Sequence, residues 1–465
     1  MTDRNRQLLL FSNQGRKRVE ADFSAGRLSS DAGGALLLRE ADRRLGLLGA
    51  MDKAVADPRF QEMITHQQRT MLGQRIIGLA QGYEDLNDQQ ALRQDPALQA
   101  AVGRTPDPDE PMASPPTLCR LEKRVGEADL WRMQQVLVDQ AIAAIGADGP
   151  PTQLIFDFDA TDTPLYGQQQ FRFFHGYYGG YCYLPLYVFC GRHLLVAYLR
   201  PADSDPSMHV RPILKLLVQR IRRTWPQVRI VFRGDCGFCR HKLMNWCDDN
   251  GVYYVIGMAR NPALERKAQP WTVPAEVLFK RDGQKQRILG SFAHQPQTWK
   301  RPRRTIVKAE RLPDKKNPDG LANTRFIVTN MPGEPEELYD DSYCARGDAE
   351  NRIKEQQLFL FGTRMSCRRF RSNQFRMLLS AAAYALVHAV RRLALVGTEL
   401  QDAQADTIRN KLFKIAGRVK VSARRLLVQL AGSCPVQELF RLAAQRLMAP
   451  DANTGIMSCV GIDTG

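Results

Sequence analysis

The sequence predicts an α/β protein: a mainly helical first third, then a sheet built partly of parallel strands, and a basic helical tail. Three observations predict this. The hydrophobic period changes near Gln153 from helical to strand-like. Strand and helix patterns then alternate, as a parallel sheet requires. Late in the chain a polar helical segment, Tyr343 to Lys354, presents one stripe with a single carboxylate among an aromatic hydroxyl and two cations.

At 465 residues the chain exceeds one ordinary core, and two or three domains are expected. Its 66 Lys and Arg against 49 Asp and Glu leave a formal charge of +17, which points to a polyanionic partner, with nucleic acid first and a membrane surface second. No apolar run approaches the ~18 residues of a membrane span, and Leu8 to Phe11 is too brief for a signal segment. The expectation is a cytoplasmic, nucleoid-associated protein that does not engage membranes. The ten cysteines, scattered from Cys119 to Cys459, read as reduced thiols.

In residues 1–148, Ser29-Ser30-Asp31 caps an Ala- and Leu-rich helix, Ala32 to Leu48. A second helix runs from Gln67 to Gln81 and stops at Gly82, and a third covers Leu118 to Ile145 after a Pro-rich loop. Short helices with basic faces suit DNA binding. From Gln153 the run Leu-Ile-Phe-Asp-Phe-Asp reads as a strand ending in acids. Tyr183 to Phe189 and Leu194 to Leu199 continue the strand pattern, Val210 to Arg223 reads as a helix, and Val228 to Phe232 as a strand running into Arg-Gly-Asp235. Between about 252 and 333 come short strands and charged turns, a β-rich insertion. An apolar helix, Phe375 to Val390, follows. The tail, residues 396–465, contains seven cations between Arg409 and Arg425 and no acid among them.

Asp159 and Asp235 sit at strand ends, where open α/β sheets gather their sites, and Glu350 sits on the late helix. Converged, three carboxylates would offer hard oxygens suited to Mg²⁺. Any single acid after a strand is more often a loop or capping acid. At roughly 100° per residue, Tyr343, Arg346, Glu350, Lys354 and Gln357 share one stripe. A solvated face laced with ion pairs gives the same pattern. Asp157, Asp159 and Asp162 compete as first acid, and Asp157 and Asp159 share a strand face.

These motifs resemble the DDE transposases of bacterial insertion sequences. Tyr343-x2-Arg346-x3-Glu350 resembles the start of the Tyr-Arg-Glu-Lys signature of one large group. Asp159-x-Thr161 and Gly234-Asp-x-Gly-Phe238 resemble its first and second acid motifs. The β-rich stretch between the second and third acids agrees, and the resemblance covers roughly residues 150 to 395. It implies an RNase H-like catalytic domain over 149–395, with the helical domain 1–148 binding DNA. Asp159, Asp235 and Glu350 would then be catalytic and metal-holding, with two Mg²⁺ ions and Mn²⁺ able to substitute. It implies that Tyr343, Arg346 and Lys354 contact DNA. It further implies double-stranded transposon ends and target DNA as partners, a homodimer in the assembled complex, and cut-and-paste transposition. One departure stands out: Gln357 occupies the position of the signature lysine, and Lys354 lies one turn earlier.

Other readings compete. Trp299, within a basic stretch, is either a base-stacking residue or a packed one. Cys236-Gly-Phe-Cys239 has redox-pair spacing, and Cys247 could join it on zinc. Gly176-Tyr-Tyr-Gly-Gly180 reads as a hairpin turn. The functional alternative is a non-catalytic, sequence-specific DNA-binding protein derived from a transposase.

Overall fold

The computed structural model describes residues 9–14, 17–21 and 29–449; Leu8, Cys459 and the rest of the tail beyond 449 lie outside them. The chain divides into two compact units. Residues 125–381 form one, and residues 1–124 with 382–465 form the other.

The 125–381 unit is a mixed sheet. In spatial order its strands are Gln286–His294, Arg303–Asp314, Arg325–Thr329, Tyr253–Met258, Arg229–Gly234, Gln153–Ala160, Leu186–Cys190 and His193–Tyr198, with Asn317–Ala322 added to Arg303–Asp314. Only Tyr253–Met258, Arg229–Gly234 and Gln153–Ala160 run parallel to one another. Both of their faces are covered, as parallel strands require. One face packs Leu154, Phe156, Phe158, Ile230, Phe232 and Tyr254 against the helices Glu127–Ile145, Val210–Thr224 and His241–Asp249. The other packs Val231, Val255, Ile306 and Ile327 against Leu338 and Tyr339.

The edge strand His193–Tyr198 has its outer backbone groups taken by side chains. Gln134 donates to Leu195 O at 2.6 Å and accepts from Ala197 N at 3.1 Å. Gln374 donates to Ala197 O at 2.9 Å and accepts from Leu199 N at 2.6 Å.

The stretch 252–333, expected to be a β-rich insertion, differs in two ways. Its strands extend the central sheet rather than building one of their own, and it contains the 21-residue helix Pro262–Asp282. Pro270 and Pro274 lie on the exposed side of that helix, while Leu264, Ala268, Ala275 and Phe279 bury its inner face.

In the other unit the helices Ala35–Leu45, Leu47–Ala54, Gln68–Ala80 and Pro115–Arg124 bury Leu37, Leu38, Met51, Leu72, Ile76 and Leu118. The predicted helix Ala32 to Leu48 breaks at Gly46, which turns with φ +64°, and Leu118 to Ile145 breaks at Gly126. The basic run expected as helix is partly a hairpin: Gly417–Ser422 pairs antiparallel with Arg425–Leu430 and, at Gly417 and Arg418, with Ser30 and Ser29. Val419 and Val421 alternate with Arg418, Lys420 and Ser422, a period of two that the run of cations obscured. Among the described residues, the helix Phe370–Ala394 is long and apolar enough to cross a membrane, which the sequence reading did not find. It is mostly buried within the protein.

Candidate active site

Parallel register sets the first two acids. Phe158 pairs with Gly234, and Gly234 with Ile256. The next residues along these strands, Asp159, Asp235 and Gly257, therefore lie side by side at the carboxyl ends of three neighbouring strands. Asp235 opens a tight turn, Cys236–Phe238, and its Oδ1 accepts from Gly237 N at 2.8 Å.

Gly257 leaves room for this turn. A Cβ there would meet the Tyr343 hydroxyl at 2.6 Å and Cys236 N at 3.0 Å. Gly257→Ala is expected to push the Asp235 turn out of place. Any activity that depends on Asp235 should fall roughly ten- to a hundredfold, with about 1–3 kcal/mol lost in thermal unfolding. Unchanged activity in the purified variant would argue that this close approach does not matter.

Glu350 arrives on the helix Gly347–Lys354, which is framed by two π-helical turns, Leu338–Tyr343 and Glu355–Phe359, and a 3₁₀ turn, Cys344–Arg346. The segment is therefore not the uniform helix that its period suggested. The stripe holds over Arg346 and Glu350, whose side chains form an ion pair, and Arg346 also reaches Asp159 at 3.7 Å. The wide turn after Lys354 shifts the phase. Gln357 is turned inward and buried, whereas Lys354 is exposed. A lysine at 357 would lose its hydration, which gives a physical reason for the glutamine.

Electrostatics tie the acids together. Burial, then the charges of Asp235 and Glu350, push the Asp159 carboxyl up to about 7, against the lowering effect of Arg346. Burial tends to lower the Arg346 pKa, but Asp159 and Glu350 hold it above its ordinary value. Burial and the charge of Asp235 also raise the Tyr343 phenol. The guanidinium stands as counter-ion between Asp159 and Glu350. Among the described residues no group of three or more His, Cys, Asp or Glu closes to metal-holding distance.

The rival acids are engaged elsewhere. Asp157, on the same strand face, is buried under a two-pronged pair with Arg233, whose Nη2 lies 2.8 Å from Oδ2, and Arg233 also donates to Ser342 O at 2.6 Å. Asp162 lies beyond the strand end and acts on Tyr178 and Cys182. Tyr178, which sequence reasoning passed over, has its phenol pushed up to about 12 by burial and by the charges of Asp162, Asp159 and Asp235. Its signal was the cluster of tyrosines around the Gly-rich turn.

Trp299 is packed rather than free to stack. It is 8 % exposed, with its ring 5.7 Å from His294 and under the Arg303 guanidinium. Cys239 and Cys247 do not favour thiolate chemistry. Burial pushes Cys239 up to about 11 and raises Cys247, and both thiols are free.

A mixed α/β sheet with acids at the carboxyl ends of its parallel strands has the site layout of an open α/β enzyme. The match to the family model for the transposase DDE domain, group 1, spans residues 11–451, so the chain belongs to that family and is a DDE transposase. Among solved structures, the cryo-EM structure of a piggyBac transposase synaptic complex with hairpin DNA is similar over 90% of this chain and 82% of that chain, at 11% identity and a TM-score of 0.42. No curated protein matches the chain.

Proposed function

We propose that the protein is an insertion-sequence transposase. In this reading it binds the terminal inverted repeats of its own element, cuts there and joins the freed ends to target DNA by two-metal phosphodiester chemistry, on an RNase H-like sheet. The observation that supports it most is the register that sets Asp159 beside Asp235, with Arg346 joining Asp159 to Glu350.

Asp159, Asp235 and Glu350 would hold Mg²⁺, or Mn²⁺ in its place. The donor chemistry is apt, all hard carboxylate oxygens, and burial together with the charges of Asp235 and Glu350 pushes Asp159 to about 7. When bound, the ions supply Lewis acidity for the attacking and leaving oxygens. The protein's own groups do the rest. Arg346, released from the carboxylates, turns to a phosphate of the cleaved strand. Tyr343 and the exposed Lys354 contact phosphates on either side of it. The helical N-terminal segment grips duplex DNA, and two copies pair the two ends.

The test uses labelled duplexes carrying the inverted repeats that flank the gene. With Mg²⁺ the unaltered protein should cut at the repeat boundary. Asp235→Asn keeps the cap to Gly237 N, and it and Glu350→Ala should bind within about twofold of the unaltered protein while cutting falls by at least about a thousandfold. If Asp235→Asn cuts normally, or the unaltered protein binds and never cuts, the non-catalytic DNA-binding reading takes its place.

A further inference from the structure

Three short strands, Thr163–Pro164, Phe173–His175 and Gly180–Tyr183, form a small sheet of their own. It grows directly out of the acid site. Thr163 follows Asp159 by four residues, and Gly180–Tyr183 leads into the strand whose Tyr187 pairs with Asp159.

This hairpin exposes aromatic side chains that a protein normally covers. Tyr166 is 94 % exposed, Tyr177 86 %, Phe174 60 % and Phe171 59 %, and Tyr178 and Tyr181 are partly open. An apolar patch of this kind on a soluble surface marks an interaction site. The rings hold one another edge-on, with Tyr177 and Tyr178 at 5.0 Å and Phe174 and Tyr181 at 5.8 Å. Phe171 sits in the left-handed region at φ +59°, a conformation a bulky residue rarely adopts, with its ring against Phe370 at 5.5 Å.

Cations flank the aromatic surface. Arg172 lies over the Tyr181 ring at 4.4 Å. Gln170 N donates to Arg368 O at 2.8 Å, which brings the exposed Arg368, Arg369 and Arg371 alongside the hairpin.

Flat rings beside arginines suit the base faces and phosphates of a single nucleic-acid strand. A peptide or a lipid surface offers no such alternation of π-face and anion. We propose that the hairpin from Tyr166 to Tyr181 is a stacking platform for unpaired bases of the DNA strand that leaves the acid site. The placement rests on the transposase reading above, because that reading supplies a strand end at Asp159. Tyr178, which feels the charges of both Asp159 and Asp235, stands at the boundary between acids and platform.

The probe is a single-stranded oligothymidylate containing one 2-aminopurine, with a fully paired duplex as control, added to the full chain. Stacking should quench the aminopurine fluorescence. Phe174→Ala with Tyr177→Ala should weaken binding of the single strand roughly ten- to a hundredfold and remove the quench. Duplex binding and the thermal transition should stay as they were, since both side chains are exposed. Exchanging the two rings, Phe174→Tyr with Tyr177→Phe, should restore the quench.

Binding of the single strand within about twofold of the unaltered protein in the double alanine variant overturns the platform. So does a quench that survives in that variant, or failure of the unaltered protein to bind the single strand. Asp235→Asn separates this idea from the reading beneath it. If that variant stacks the probe normally and still cuts DNA, the catalytic reading fails while the platform stands. If it stops cutting while the alanine pair stacks normally, the platform fails alone.

Discussion

Asp159→Asn should abolish cleavage and at the same time make the protein more stable above pH 7. The carboxyl is raised to about 7 by burial and by neighbouring acids. A carboxyl whose folded pKa lies above its unfolded value takes up a proton on folding, so stability falls as pH rises from about 4 through 7. The asparagine carries no such charge. At pH 8 it should unfold later by on the order of 2 kcal/mol, less than the full linkage because Arg346 loses a partner. At pH 5, where Asp159 is largely protonated, the two proteins should melt nearly together. Mg²⁺ should raise the melting temperature of the unaltered protein more at pH 8 than at pH 5, since cation and proton compete for the same oxygens. Differential scanning fluorimetry across pH, with and without Mg²⁺, reads all of this without DNA. A melting difference that does not change with pH would show that Asp159 is not charged at a cost.

Arg233→Met should be the most damaging single change to the fold around the site. Asp157 and Arg233 are 3 % and 6 % exposed and form a two-pronged ion pair. Burial raises the Asp157 pKa, and the guanidinium opposes that rise. Removing the arginine leaves a carboxylate buried without a partner, which costs roughly 3–5 kcal/mol. The double variant Asp157→Leu with Arg233→Met should recover much of that loss, because apolar groups of similar size need no counter-ion. Urea unfolding of the three proteins measures the coupling. Equal destabilisation in the single and double variants would place the loss in packing instead.

The central strands were legible because each is a short apolar run closed by a polar or turn residue, and the acids stood at those closures. Leu154 to Asp159 and Val228 to Asp235 carry that signal by themselves. The pairing of the two strands does not show in the sequence, because register is decided by contacts between residues 76 positions apart. Gly257 looked like an ordinary strand residue. Its meaning comes from a tyrosine hydroxyl that reaches it from the far side of the segment 262–338. The π turns around Glu350 carry no compositional mark, so a uniform period was projected through Gln357 and placed it on the wrong side. The helix Pro262–Asp282 was missed because its buried stripe is sparse: over 21 residues it is Leu264, Ala268, Ala275 and Phe279. The tyrosines near Gly176 were read as packing for a turn, and only the fold shows that their rings are bare.

The glutamines at 134 and 374 each act on the edge strand as a peptide group would, giving one hydrogen and taking another. In effect they are an imitation neighbour, a strand reduced to two amides. Leu195 to Leu199 thus presents a finished selvedge rather than a frayed hem, and a second chain finds no open backbone to zip onto along this border.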